Sequence, residues 1–273
     1  MKPSALCGLI CLAALFVAGC DTVDSSLTDD QIVVEAFLYA QEPVTHVRIT
    51  KAVPLTEEDT VGTPITDAVV RMMKQSATYA LVPAGTDGFY TYPGEDLTVE
   101  AGDTLRLEAE VSGQFLAAET VVPPPPTGVV LSSPVMEVPT FGAGRGPFQN
   151  NAITVSWDNQ SSQMHYVLIE SLVSGTPEYI LPDAIRERFG GFRFITRPTS
   201  DNFFDIQTRQ LEVFGLHQVL VYRINEEYAE LYENREQDSR DLNEPPTNIQ
   251  GGLGIFSAFN SQRLTFEVVR SSE

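Results

Sequence analysis

The chain has 273 residues, 37 acidic against 17 basic, and a formal net charge of −20. A charge of that sign and size repels nucleic acid and anionic lipid headgroups, so nucleic acid is excluded as an expected partner. Of the three cysteines, Cys7 and Cys11 lie in an N-terminal apolar run and Cys20 closes it; beyond that point there is no thiol for a disulfide, a nucleophile or a cysteine metal site, and the fold must rest on its hydrophobic core.

Met1-Lys2 supplies a short positive start, and Ala5 to Ala18 an apolar stretch containing Leu6, Leu9, Ile10, Leu12, Leu15, Phe16 and Val17. This is the layout of a signal peptide, and it falls short of the roughly 20 apolar residues that a spanning helix needs. Phe16-Val17-Ala18-Gly19-Cys20 resembles the bacterial lipobox, with Phe where Leu is usual. The chemistry requires a thiol at that place, because a thioether to diacylglycerol forms on Cys20 before the bond preceding it is cut. Residues 1–19 are therefore read as a removable leader and Cys20 as the lipidated N-terminus, held firmly to a membrane once two or more acyl chains are attached. Residues 20–30, acidic and without periodicity, read as a flexible tether.

From Gln31 the pattern has period two. Its clearest run is Thr104–Val111, where Leu105, Leu107, Ala109 and Val111 alternate with Thr104, Arg106, Glu108 and Glu110, as in a half-buried antiparallel strand. Weaker runs are Ile32–Leu38, Val44–Lys51, Ala68–Lys74 and Thr78–Val82, separated by turn signals at Asp87-Gly88, Pro93-Gly94 and Ala101-Gly102-Asp103. Short strands at this spacing predict a β-sandwich over residues 31–123. Pro123 to Pro126 cannot continue a sheet, and a domain boundary is placed there. A second sandwich over 124–273 is expected from Ile153–Asp158, Tyr166–Leu172, Gln218–Ile224 and Leu264–Val269, with Trp157 in its core. Two helical insertions are predicted, Pro182–Phe189 and Glu226–Glu236; the second carries Tyr228, Leu231 and Tyr232 on one stripe. The fold class is all-β, in two sandwiches.

Chemistry-bearing patterns are sparse. His46, His165 and His217 are scattered without zinc spacing, and no serine sits in G-x-S-x-G. Gly251-Gly252-Leu253-Gly254 precedes Ile255-Phe256 and lacks the lysine and helix start of a phosphate loop, so it reads as a bend into a closing strand. On that reading Ile255 and Phe256 line one core together with Leu264 and Phe266, and Pro245–Phe256 shapes the end of the second domain. Acid pairs such as Glu57-Glu58 and Glu226-Glu227 follow from the acidic composition and do not argue for glycoside hydrolysis. Asp201, Asn202 and Asp205 offer oxygens suited to calcium, but without the glycine and distal glutamate of an EF-hand loop. No catalytic residue, metal ligand or cofactor site is assigned.

Several stretches carry a family resemblance. They are Val33 to Leu38 with Glu42-Pro43-Val44, Val47 to Lys51, Pro64 to Val70, Gly88-Phe89-Tyr90, Val99 to Leu105, Ala118 to Pro123, and Pro245 to Phe256. Together they resemble an uncharacterised lipoprotein family of the Bacteroidota, catalogued as domain of unknown function 4249. The resemblance implies an outer-membrane lipoprotein, often encoded beside a TonB-dependent receptor, with a first domain similar to the transthyretin-like or carboxypeptidase-regulatory-like sandwich. The second domain is expected to be fibronectin- or immunoglobulin-like. The expected function is that of a non-enzymatic accessory or binding lipoprotein in nutrient uptake, held to the outer membrane through its lipid. An envelope hydrolase or carbohydrate-active protein, or a structural cell-surface protein, is the alternative.

Overall fold

The computed structural model describes residues 31–53, 62–139, 151–181, 193–233 and 247–271. Cys20, Glu57-Glu58 and the predicted helix Pro182–Phe189 lie outside the described residues.

The described chain is all-β, as the alternation predicts. Its first seven strands are β1 (Ile32–Tyr39), β2 (His46–Lys51), β3 (Val69–Lys74), β4 (Ala77–Ala84), β5 (Phe89–Thr91), β6 (Thr104–Val111) and β7 (Gln114–Val121). In β6 the four apolar side chains of the alternating run are all buried, and the strand has the bounds that the pattern predicts. Antiparallel pairing in the order β1-β2-β5-β4-β3-β6-β7 curls these strands around one core. Into it point Val34 and Leu38, Ile49, Met72, Tyr90, Leu105 and Leu116, all essentially inaccessible. The Tyr90 hydroxyl is satisfied inside this core: it donates to the Ile65 carbonyl at 2.9 Å and accepts from the Ala68 amide at 2.9 Å.

Residues Val122–Pro126 carry no strand. Beyond them come β8 (Thr127–Leu131), β9 (Val135–Val138), β10 (Ala152–Asp158), β11 (His165–Ser171), β12 (Arg193–Ile195) and β13 (Phe203–Gln207). A short 3-10 turn (Thr208–Gln210), β14 (Gly215–Ile224), helix α1 (Glu226–Glu233) and β15 (Leu253–Arg270) complete the described elements. The three-stranded sheet β13-β10-β8 packs over β12-β11-β14-β15-β9. Trp157, Ile206, Val167, Val219, Phe266 and Val268 fill the space between the two layers, so the single tryptophan is a core residue as expected.

β15 belongs to both bodies. Its first part pairs in parallel with β1, from Val33↔Leu253 to Tyr39↔Phe259, and its later part pairs antiparallel with β14 from Ile224↔Phe259 to Gly215↔Val268. Ahead of it, Gln250 exchanges two backbone hydrogen bonds with Ala117 of β7, at 3.1 and 2.8 Å. The segment therefore closes the first curled sheet between β7 and β1. Even-numbered side chains of β15 reach both cores: Phe256 and Ala258 enter the first, Leu264 and Phe266 meet the second, and the exposed Gln262 lies between them. The expectation that Phe256 shares a core with Leu264 and Phe266 is thus corrected, and Ile249 with Phe256 completes the first body instead of the end of the second. A strand of 18 residues reaches roughly 60 Å, far enough to serve both.

The odd-numbered face carries a third cluster. Phe259 meets Tyr166, Leu168, Leu220 and Tyr222 from β11 and β14, Ala229 of α1, and the flanking Phe37 and Tyr39 of β1. α1 starts where the second helical insertion was predicted, and Tyr228 packs on this cluster edge-on to Phe259, with ring centroids 4.8 Å apart. Its N-terminal turn is tied to the first body: Glu227 Oε1 accepts from Thr120 Oγ1 at 2.9 Å and from Ser257 Oγ at 3.2 Å, and Asn225 Nδ2 donates to the Val121 carbonyl at 2.8 Å.

Candidate functional site

β1 and β9 both lie on one edge of β15, and neither covers its middle. The β1 ladder ends with the Ala40 amide donating to the Phe259 carbonyl at 2.9 Å. The β9 ladder begins with the Glu267 amide donating to the Pro134 carbonyl at 2.9 Å, and Pro134 has no N–H with which to extend it backwards. In both ladders the odd-numbered residues of β15 face this edge; the even-numbered ones face β14. Over Ser261, Arg263 and Thr265 the backbone donors and acceptors on that edge have no strand partner among the described residues.

A cleft of about 820 Å³ opens against this unpaired edge. Asn260 to Arg263 form one wall; Gln41 and Glu42, Glu100 and Ala101, and Pro125 form the others. A shallower depression of about 400 Å³ adjoins it along Gln41–Pro43 and Gly94–Glu100. The loops that carry the acids are fixed by local hydrogen bonds. Glu42 N–H closes a turn onto the Tyr39 carbonyl at 3.1 Å, with Gln41 at φ +65°, and Gln41 N–H donates to the Val99 carbonyl at 2.8 Å. The Asp103 carboxylate accepts from the Glu100 amide at 2.7 Å and pairs with Lys74 Nζ at 2.6 Å, which fixes the second loop. The floor is set by Asn260, whose amide nitrogen donates to the Pro123 carbonyl at 2.9 Å. Among the described residues the side chains of Glu42, Glu100 and Arg263 enter no ion pair with one another or with a neighbour.

Beside the cleft, burial raises the hydroxyl pKa of Tyr39, Tyr166 and Tyr222; that of Tyr222 is pushed up to about 12, with the Glu42 charge adding to the effect and Arg193 opposing it. These phenols stay protonated near neutral pH and serve as packing and hydrogen-bonding groups.

The residues singled out from the sequence do not meet here. His46 is exposed on β2, 3.0 Å from the Thr45 hydroxyl. His165 lies against Trp157 with its Nδ1 2.9 Å from the Gln163 carbonyl, and His217 lies against Phe266 with its Nδ1 3.0 Å from the Gly215 carbonyl. Burial lowers the pKa of both rings, so each is a neutral core histidine. Asp205 accepts from the Thr154 hydroxyl at 2.6 Å and the Asn202 carbonyl accepts from the Trp157 amide at 2.9 Å, so these groups of the candidate calcium set hold β13 to β10. Among the described residues no group of three or more His, Cys, Asp and Glu side chains is arranged to hold a metal ion.

The fold and the cleft define a class: an all-β chain of two packed bodies, joined by a shared strand, with a polar cleft at the join. Within that class the chain belongs to the family described as Domain of unknown function (DUF4249), which matches residues 21–265 and so takes in the first body, most of the second and the whole cleft. Compared with proteins of curated function, the chain has no significant match.

Proposed function

We propose that the protein is a lipid-anchored, non-enzymatic accessory or binding protein of the outer membrane, working beside a TonB-dependent receptor in nutrient uptake. The observation that carries this reading is Phe16-Val17-Ala18-Gly19-Cys20, a lipobox behind a short apolar leader. The cleft at the join supports a binding role: its backbone edge and the side chains of Glu42, Glu100 and Arg263, unpaired among the described residues, are groups that a ligand can satisfy. The acidic tether that follows Cys20 would carry the body clear of the headgroups. Metabolic palmitate labelling tests the anchor. The parent chain should take up label and partition with membranes, and Cys20→Ser should do neither; label surviving that change refutes the anchor. Co-purification with a TonB-dependent receptor, absent for a hydrolase or a purely structural surface protein, tests the role.

A further inference from the structure

We propose that the unpaired edge of β15 over Ser261–Thr265 takes an extended, basic peptide segment of a protein partner as an added strand. The proposal deepens the binding role and names the partner's chemistry, but it does not depend on the lipid anchor.

An exposed strand edge is a row of unmatched N–H and C=O groups, and proteins commonly cover or blunt such edges. Among the described residues no strand covers this edge. It is framed at both ends by strands that already pair with β15 in parallel, β1 up to Phe259 and β9 from Glu267. The opening matches about five extended residues, roughly 17 Å. The cleft beside it supplies the space that a guest strand would occupy, along Asn260 to Arg263. Main-chain pairing of this kind gives affinity, while pockets for alternate side chains give selectivity.

Charge decides which segment fits. Glu42 and Glu100 both line the cleft, without ion-pair partners among the described residues, against the single guanidinium of Arg263. The whole chain carries −20. An arginine- or lysine-bearing segment gains from both the local carboxylates and the long-range field, and an acidic one is repelled. A second copy of this chain would bring another −20 into contact, which disfavours an edge-to-edge dimer.

The test uses the full chain in detergent and a fluorescein-labelled, end-blocked heptapeptide that alternates valine with arginine and lysine, followed by fluorescence anisotropy. Saturable binding is expected, weakened on the order of tenfold or more when glutamate replaces the basic residues. Methylating one alternate set of peptide amides should abolish binding, and methylating the other set should be tolerated, because only one set can face β15. Ser261→Pro removes a donor from the cleft edge and leaves the bonds to β14 in place, so it should weaken binding without lowering the melting temperature much. Glu42→Gln with Glu100→Gln, both at exposed positions, should weaken binding and flatten its salt dependence. The proposal is overturned if the basic peptide fails to bind at concentrations on the order of 1 mM, if both methylated forms bind alike, or if neither variant alters binding. It is equally overturned if sedimentation shows a dimer that Ser261→Pro dissolves, since the edge would then belong to a second copy. Failure of any of these leaves the palmitate result on Cys20 unaffected.

Discussion

Gly254 sits at φ +108°, a backbone conformation that L side chains rarely adopt, and a Cβ built there would overlap the Val34 carbonyl oxygen on β1. That carbonyl is main chain in a parallel ladder, so it cannot swing aside as a side-chain tip could. Gly254→Ala should therefore cost about 2–4 kcal/mol, combining backbone strain with overpacking. Thermal unfolding should show a fall of several degrees, and a melting temperature equal to the parent's would refute the assignment. Gly102→Ala makes a good control, because it shares a positive φ but meets no atom within 4 Å, so only the smaller strain should appear. The sequence signalled that Gly251, Gly252 and Gly254 shape a bend, but their reasons differ. Gly251 and Gly254 need the positive φ; Gly252 needs room, since a Cβ there would strike Leu116 and the Ile32 carbonyl. Neither Leu116 nor Ile32 is near in sequence, and no local pattern could reveal them.

At the scale of elements, β11 and β14 each bury one histidine, and the pair should give the fold a pH dependence. Burial depresses both ring pKa values below the ordinary 6.5, with Arg223 acting in the same direction on His165. The unfolded chain therefore binds more protons than the folded one as pH falls from about 7 to about 5, and stability should decline over that window. The slope is at most about 1.4 kcal/mol per pH unit for each ring. Carboxylates titrate at the lower end of the same range, so the informative quantity is the difference between the parent and His165→Gln/His217→Gln. Melting temperatures followed across the window should fall less steeply in the double variant, and parallel curves would refute the account. Strands with one wet face were legible from alternation: β6 has its predicted bounds, and β10 starts one residue before the Ile153–Asp158 run and ends with it. Short strands such as β9, β12 and β13 offer too few residues for a period to emerge. The early part of β15 escaped for the opposite reason. Ile255 to Asn260 are all buried, so both faces are lined by core and the alternation vanishes, leaving only Leu264–Val269 to be read as strand.

For the whole molecule, the shared strand makes the two bodies mutually dependent. A fragment covering 31–126 keeps β1 to β7 but loses the segment that pairs with β1 and bridges β7, along with Ile249, Phe256 and Ala258 of its core. It should lack a cooperative thermal transition alone and regain one when co-expressed with 127–273, as read by circular dichroism; a fragment that melts cooperatively by itself would show the first body to be independent. The cleft shares this origin. It exists because two parallel neighbours of β15 stop short of each other, an arrangement spread over three distant stretches of chain, so the sequence could mark its acids but not their meeting. The same placement of β15 bears on the order in which structure can appear. A polypeptide emerging N-terminus first from a ribosome or a translocation pore displays its first seven strands long before the strand that closes them. Neither core can be completed until residues 253–270 have emerged, so the chain stays loose and threadable through nearly all of its own synthesis.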